Sequence, residues 1–153
     1  MSRTSYTPTT SERARDGTHR VTHDPLTTHV IVVEDDRDTR EVVKLILELD
    51  GIDVTEAADG LEALDQLHKI RSRNPQQPSA IVLDIMMPRC SGPEFRKRQL
   101  DDPSIADVPI IVLSAVADQT RMDELRAFAR VSKPFDPDQL VHVVRRACAT
   151  GAQ

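Results

Sequence analysis

Two kinds of hydrophobic pattern alternate along the chain: short, continuously apolar runs, and longer runs of helical period. Residues 29–33, HVIVV, read as an apolar strand that stops at three acids, Glu34, Asp35 and Asp36. Val42, Val43, Leu45, Ile46 and Leu49 then recur at helical spacing, predicting a helix capped by Asp36 or Asp38 and stopped by Gly51. IDVTEA, 52–57, alternates as a strand does. DGLEALDQLHKI, 59–70, predicts a second helix with Leu61, Leu64, Leu67 and Ile70 along one side. RSRNPQQPS, 71–79, is a loop by composition.

The same rhythm runs to the end. AIVL, 80–83, is a fully apolar strand leading into Asp84, and a loop through Pro88 and Gly92 precedes a short helix over 93–100. VPIIVLS, 108–114, is another apolar strand, followed by a predicted helix over 118–129 with Leu125 and Phe128 inward. RVS, 130–132, is a short strand before Lys133-Pro134, and 137–148 form a last helix through Leu140, Val143, Val144 and Ala147. Five strands therefore alternate with five helices. Strands this apolar are buried on both faces, which requires a parallel sheet covered by helices, an α/β doubly wound domain. Residues 1–28, rich in Thr, Ser and Arg and without period, are expected to be a disordered tail.

Composition narrows the class. With 153 residues, 39% hydrophobic and 29% charged, the chain is one domain's worth of ordinary globular sequence. No apolar stretch approaches the roughly 18–20 residues of a membrane span, and the N-terminal segment lacks the apolar middle of a secretory signal. Cys90 and Cys148 have neither metal-type spacing nor the number for a disulfide framework, so a cytoplasmic location is expected. Net charge is −5, and the acidity lies after residue 28, which argues against direct nucleic-acid binding. Aromatics at 3% offer little stacking surface for bases.

In open parallel sheets, ligands bind beyond the carboxyl ends of the strands. Those ends carry Glu34, Asp35 and Asp36 on the first strand, Asp84 on the third, Ser114 on the fourth and Lys133 on the fifth. Each alone reads equally well as a cap or a solvated strand end. Together, carboxylates crowded at one edge repel unless a cation joins them, and Mg²⁺ suits hard oxygen ligands of this kind. Other chemistries lack their parts: there is no glycine-rich phosphate loop after the first strand, no Cys/His cluster and no nucleophile elbow.

Taken in order, "VIVVEDD…IVLDIMMP…IIVLSA…VSKPF" resembles the receiver domain of two-component response regulators, over about residues 29–148. The resemblance implies a five-stranded (βα)5 fold of the flavodoxin type with strand order 2-1-3-4-5, covering 29–150 with no output domain. It implies that Asp84 accepts a phosphoryl group from a sensor histidine kinase or phosphotransfer protein. Glu34, Asp35, Asp84 and the Met86 backbone carbonyl would hold Mg²⁺, with Glu34 acting mainly through water. Lys133 would contact a phosphoryl oxygen, Ser114 would be the switch hydroxyl, and Lys133-Pro134 would be a cis peptide. The protein would then be a switch and not a conventional enzyme, acting on an unknown downstream partner.

The chain also departs from that family. The interval from Ser114 to Lys133 is about three residues short, and Arg130 stands where an aromatic is common three before the lysine, leaving open whether Arg130 or Phe128 takes its part. The face made by the fourth helix, fifth strand and fifth helix is the expected output or homodimer surface. Met86 and Val116 are apolar at two positions that tune phosphoryl lifetime, which predicts slow self-dephosphorylation. Starting at Met1 with a tail, the chain reads as a stand-alone receiver or a piece of a longer protein. Two alternatives remain: a phosphorylation-independent binding module of the same fold, and an aspartyl-nucleophile phosphatase. The latter needs an acid two residues after Asp84, where this chain has Met86.

Overall fold

The computed structural model describes residues 28–87, 89–115 and 125–150. Over these, the order is β1 (His29–Val33), α1 (Arg37–Leu49), β2 (Asp53–Ala57), α2 (Gly60–Arg73), β3 (Ala80–Asp84), α3 (Gly92–Leu100), β4 (Ile110–Ala115), β5 (Ala129–Lys133) and α4 (Pro137–Thr150). The five strands are all parallel and lie in the order β2-β1-β3-β4-β5. This is the predicted doubly wound architecture.

Alternation along each strand sorts the core into two layers. Ile31, Val33, Ile81, Leu83, Ile110 and Val112 pack on one face of the sheet with Ala63 and Leu67 of α2 and Phe95 of α3. Val30, Val32, Val82, Ile111 and Leu113 pack on the other with Val43 and Leu47 of α1 and Leu140, Val143, Val144 and Ala147 of α4. Both faces of β1, β3 and β4 are thus covered, which is why these strands carry no polar alternation.

Local chemistry sets the helix ends. Asp36, not Asp38, caps α1, accepting from the Thr39 backbone N–H at 3.3 Å. Gly51 has φ +78°; its N–H donates to Glu48 O at 3.0 Å and the Ile52 N–H to Leu47 O at 3.1 Å, a Schellman end.

Several expectations are corrected. α2 runs through Arg73, because Arg71, Ser72 and Arg73 contain no breaker and the chain leaves the helix only at Asn74, extended before Pro75. On α1, Val42, Leu45 and Leu49 are exposed, as is Leu61 on α2; Leu47, absent from the predicted stripe, is buried instead. Of the helix expected over 118–129, residues 118–124 lie outside the described residues, as do Val116, Pro88 and the tail over 1–27. Leu125 is buried, but Arg126–Phe128 do not continue a helix and Ala129 already belongs to β5. Register explains this: the Phe128 N–H donates to Ile110 O at 2.8 Å, and Ala129 pairs with Ile111. Phe128 packs on the second layer with the Arg146 guanidinium 6.0 Å from its ring centroid, while Arg130 donates to Ser132 Oγ at 3.2 Å.

Candidate functional site

Four strand ends meet where the strand order reverses about β1 and β3. β1 delivers Glu34 and Asp35, β3 ends in Asp84, β4 carries Ser114 one residue from its end, and β5 ends in Lys133. One carboxylate oxygen from each of Glu34, Asp35 and Asp84 lies within 4.8 Å of the others. Asp36, the third acid of the run, is spent as the α1 cap and stays outside the group.

The pairing within the site is specific. Lys133 Nζ donates to Glu34 Oε2 at 2.9 Å and lies 3.6 Å from Asp84 Oδ2. Glu34 Oε1 accepts from the Asp36 N–H at 3.3 Å, and Asp84 Oδ1 from the Met86 N–H at 3.2 Å. Glu34 and Asp84 are buried, whereas Asp35 is exposed at the mouth. Burial pushes the Glu34 carboxyl up to about 7, the hydrogen bond from Lys133 opposing and the Asp84 charge adding to the rise. Burial works against the Lys133 ammonium, but its bond to Glu34 and the Asp84 charge outweigh this and raise it above its ordinary value. With Glu34 ionised, three carboxylates against one ammonium leave two formal negative charges at the centre.

A hard divalent cation fits this donor set: oxygen ligands only, surplus negative charge and an exposed side where waters would complete the shell. The Ser114 hydroxyl is buried and, among the described residues, has no hydrogen-bond partner. The Lys133–Pro134 peptide is cis, as the resemblance implied.

Three supporting residues escaped the sequence reading. Arg40 of α1 donates to the backbone carbonyl of Glu34 at 2.8 Å and to Glu56 at 3.3 Å, bracing the acidic turn. Asp59, the α2 cap, pairs with Arg89 in the loop after β3. Buried Arg96 ties α3 to the carbonyls of Leu125 and Arg126. Their one signal in the chain is Asp59-Gly60, a capping residue and a glycine where the second helix starts.

Comparison with known proteins agrees with the geometry. The chain matches the response regulator receiver domain family over residues 30–145, and it belongs to that family. It is 39% identical over 121 residues to the transcriptional regulatory protein CseB of Streptomyces coelicolor, covering 77% of this chain and 48% of that protein. It is 36% identical over 115 residues to the phosphate regulon transcriptional regulatory protein PhoB of Escherichia coli, covering 73% and 48%. The chain thus spans about half the length of these relatives. Chemotaxis response regulator CheY4 of Vibrio cholerae superposes with a TM-score of 0.70 at 29% identity, covering 79% of this chain and 98% of that one. The receiver domain of Francisella response regulator 1452 gives a TM-score of 0.70 at 28% identity, covering 81% and 98%. The protein is therefore a CheY-like receiver of the two-component class, a class whose partners are histidine kinases or phosphotransfer proteins. Among the described residues, no helix is long and apolar enough to cross a membrane.

Proposed function

We propose that the chain is a cytoplasmic phospho-accepting switch that takes a phosphoryl group on Asp84 from a partner histidine kinase or phosphotransfer protein. One observation carries this reading: Asp84 ends a central strand inside a three-carboxylate cluster and faces Lys133 at 3.6 Å. An Asp84 carboxylate oxygen attacks phosphorus; the bond from phosphorus to the donor's imidazole nitrogen breaks, and an acyl phosphate forms. Glu34, Asp35, Asp84 and the Met86 carbonyl would hold Mg²⁺, which neutralises charge on the transferring group when bound. Lys133 offers a fixed cation to a phosphoryl oxygen, and the buried Ser114 hydroxyl donates to another. The chain's chemistry is its own phosphorylation and the decay of the acyl phosphate, with decay slow because Met86 orients no water. Signalling then proceeds through a downstream protein.

The test is intact-protein mass spectrometry after incubation with acetyl phosphate and Mg²⁺, beside Asp84→Asn. A single phosphoryl adduct that requires Mg²⁺ and vanishes in the variant is expected. Should the folded protein bind Mg²⁺ yet take neither a phosphoryl group nor beryllofluoride, the switch reading gives way to a phosphorylation-independent binding module.

A further inference from the structure

In the loop between β3 and α3, Arg89 holds a backbone conformation that its side chain does not favour. Arg89 has φ +65°, in the left-handed region, where a residue with a Cβ costs roughly 1–2 kcal/mol and glycine costs far less. Arg89 reaches across to α2, where its guanidinium pairs with the Asp59 carboxylate. The Asp59 side chain is only 5% exposed, and its other oxygen is already committed to the Glu62 N–H at 2.9 Å. The pair therefore joins a buried cap on one element to a strained, largely exposed residue on another.

Neighbouring contacts make the junction tight. The next residue, Cys90, is fully buried against Gly60, where an added Cβ would stand 2.6 Å from Cys90 Sγ. At the far end of the loop, the Gly92 N–H donates to Ile85 O at 3.1 Å, and a Cβ on Gly92 would stand 2.9 Å from Ile85 Cα. Between these anchors sits Met86. Its side chain is 64% exposed, so packing holds it only weakly, while its amide is bound to Asp84 Oδ1 at 3.2 Å. The direction of its carbonyl is left to the flanking peptides.

We propose that the Asp59–Arg89 pair is a positioning device for the candidate Mg²⁺ centre, locking the loop after β3 to α2 so that the Met86 carbonyl faces the carboxylate cluster. This rests on the receiver reading of Glu34, Asp35, Asp84 and Met86 given above. Neither Asp59 nor Arg89 belongs to that ligand set. They act by removing freedom from the loop that carries one of its members.

Arg89→Gly separates positioning from folding, because glycine suits φ +65° while the pair is lost. Calorimetric titration with Mg²⁺ is expected to show about tenfold weaker binding, in the range that supporting residues around metal ligands command. Amide exchange at Ile85, Met86 and Met87 should accelerate, while the thermal midpoint of the metal-free protein changes little. Asp59→Asn keeps a capping oxygen and should weaken Mg²⁺ binding in the same direction, and Arg89→Lys should recover part of it. Wild-type Mg²⁺ affinity and loop protection in both Arg89→Gly and Asp59→Asn would overturn the positioning role alone. A wild-type protein that takes up no Mg²⁺ would overturn the reading of the centre, and this proposal with it.

Discussion

Glu34 is 1% exposed, takes the Lys133 ammonium at 2.9 Å and has its carboxyl pushed up to about 7 by burial, against 4.5 unperturbed. Between those two values the folded chain binds more protons at this residue than the unfolded chain. Stability of the metal-free protein therefore falls as pH rises through that window. Asp36, Glu56, Asp59 and Asp102, all lowered from ordinary values of 3.8 to 4.5, oppose this slope only at the acid edge of the window, where their unfolded forms finish losing protons. Urea midpoints in EDTA at pH 5 and pH 8 check this, and Glu34→Gln should flatten the difference. Cys148 offers a second residue-scale test. Burial pushes its thiol from 9.0 to about 11, so alkylation at pH 8 should run about a hundredfold slower than for an open thiol.

α3 is short, yet it ties together both connections that flank β4. Arg96 is buried and donates to Leu125 O at 2.7 Å, Arg126 O at 2.9 Å and Gln99 Oε1 at 2.8 Å. The Gln99 amide in turn donates to the carbonyls of Ile105 and Val108, at 2.9 and 3.0 Å. One fork of donors thus closes the turn before β5, and one amide closes the turn before β4. Arg96→Ala would strand these oxygens in the interior and should cost about 2–4 kcal/mol in urea unfolding. Arg96→Lys should recover only part, since an ammonium cannot reproduce the planar fork.

For the molecule as a whole, the two core layers are stable scaffolding and the carboxylate edge opposes them. Glu34, Asp35 and Asp84 keep their oxygens within 4.8 Å of one another with Lys133 as the cation at hand. A divalent cation that binds only the folded chain relieves this repulsion and stabilises by mass action. At a hundred times its dissociation constant, Mg²⁺ should add about 2.7 kcal/mol, read as a rise in the thermal midpoint that EDTA reverses. Asp35→Asn should abolish most of that rise without lowering the metal-free midpoint, because its side chain is exposed and outside both core layers.

The parallel sheet and the residues at its carboxyl edge were legible in the chain, for a local reason. A strand covered on both faces must be apolar throughout, so HVIVV, AIVL and PIIVL announce their burial, and a charge at the end of such a run marks an edge. Helix faces were less legible. The apolar stripe of α1 is wider than its contact, and only the packing of α4 and the sheet against it decided that Leu47 goes in while Val42, Leu45 and Leu49 stay out. The β4–β5 connection misled for a similar reason: helical periodicity through Phe128 is overruled by pairing of Ala129 with Ile111. The charge partners were beyond reach of any window. Asp59 meets Arg89 across 30 residues and Glu34 meets Lys133 across 99. Sequence determines which segments must be buried and therefore where the strands end. Which side chains then share a hydrogen bond is decided by the crossovers that bring distant ends together.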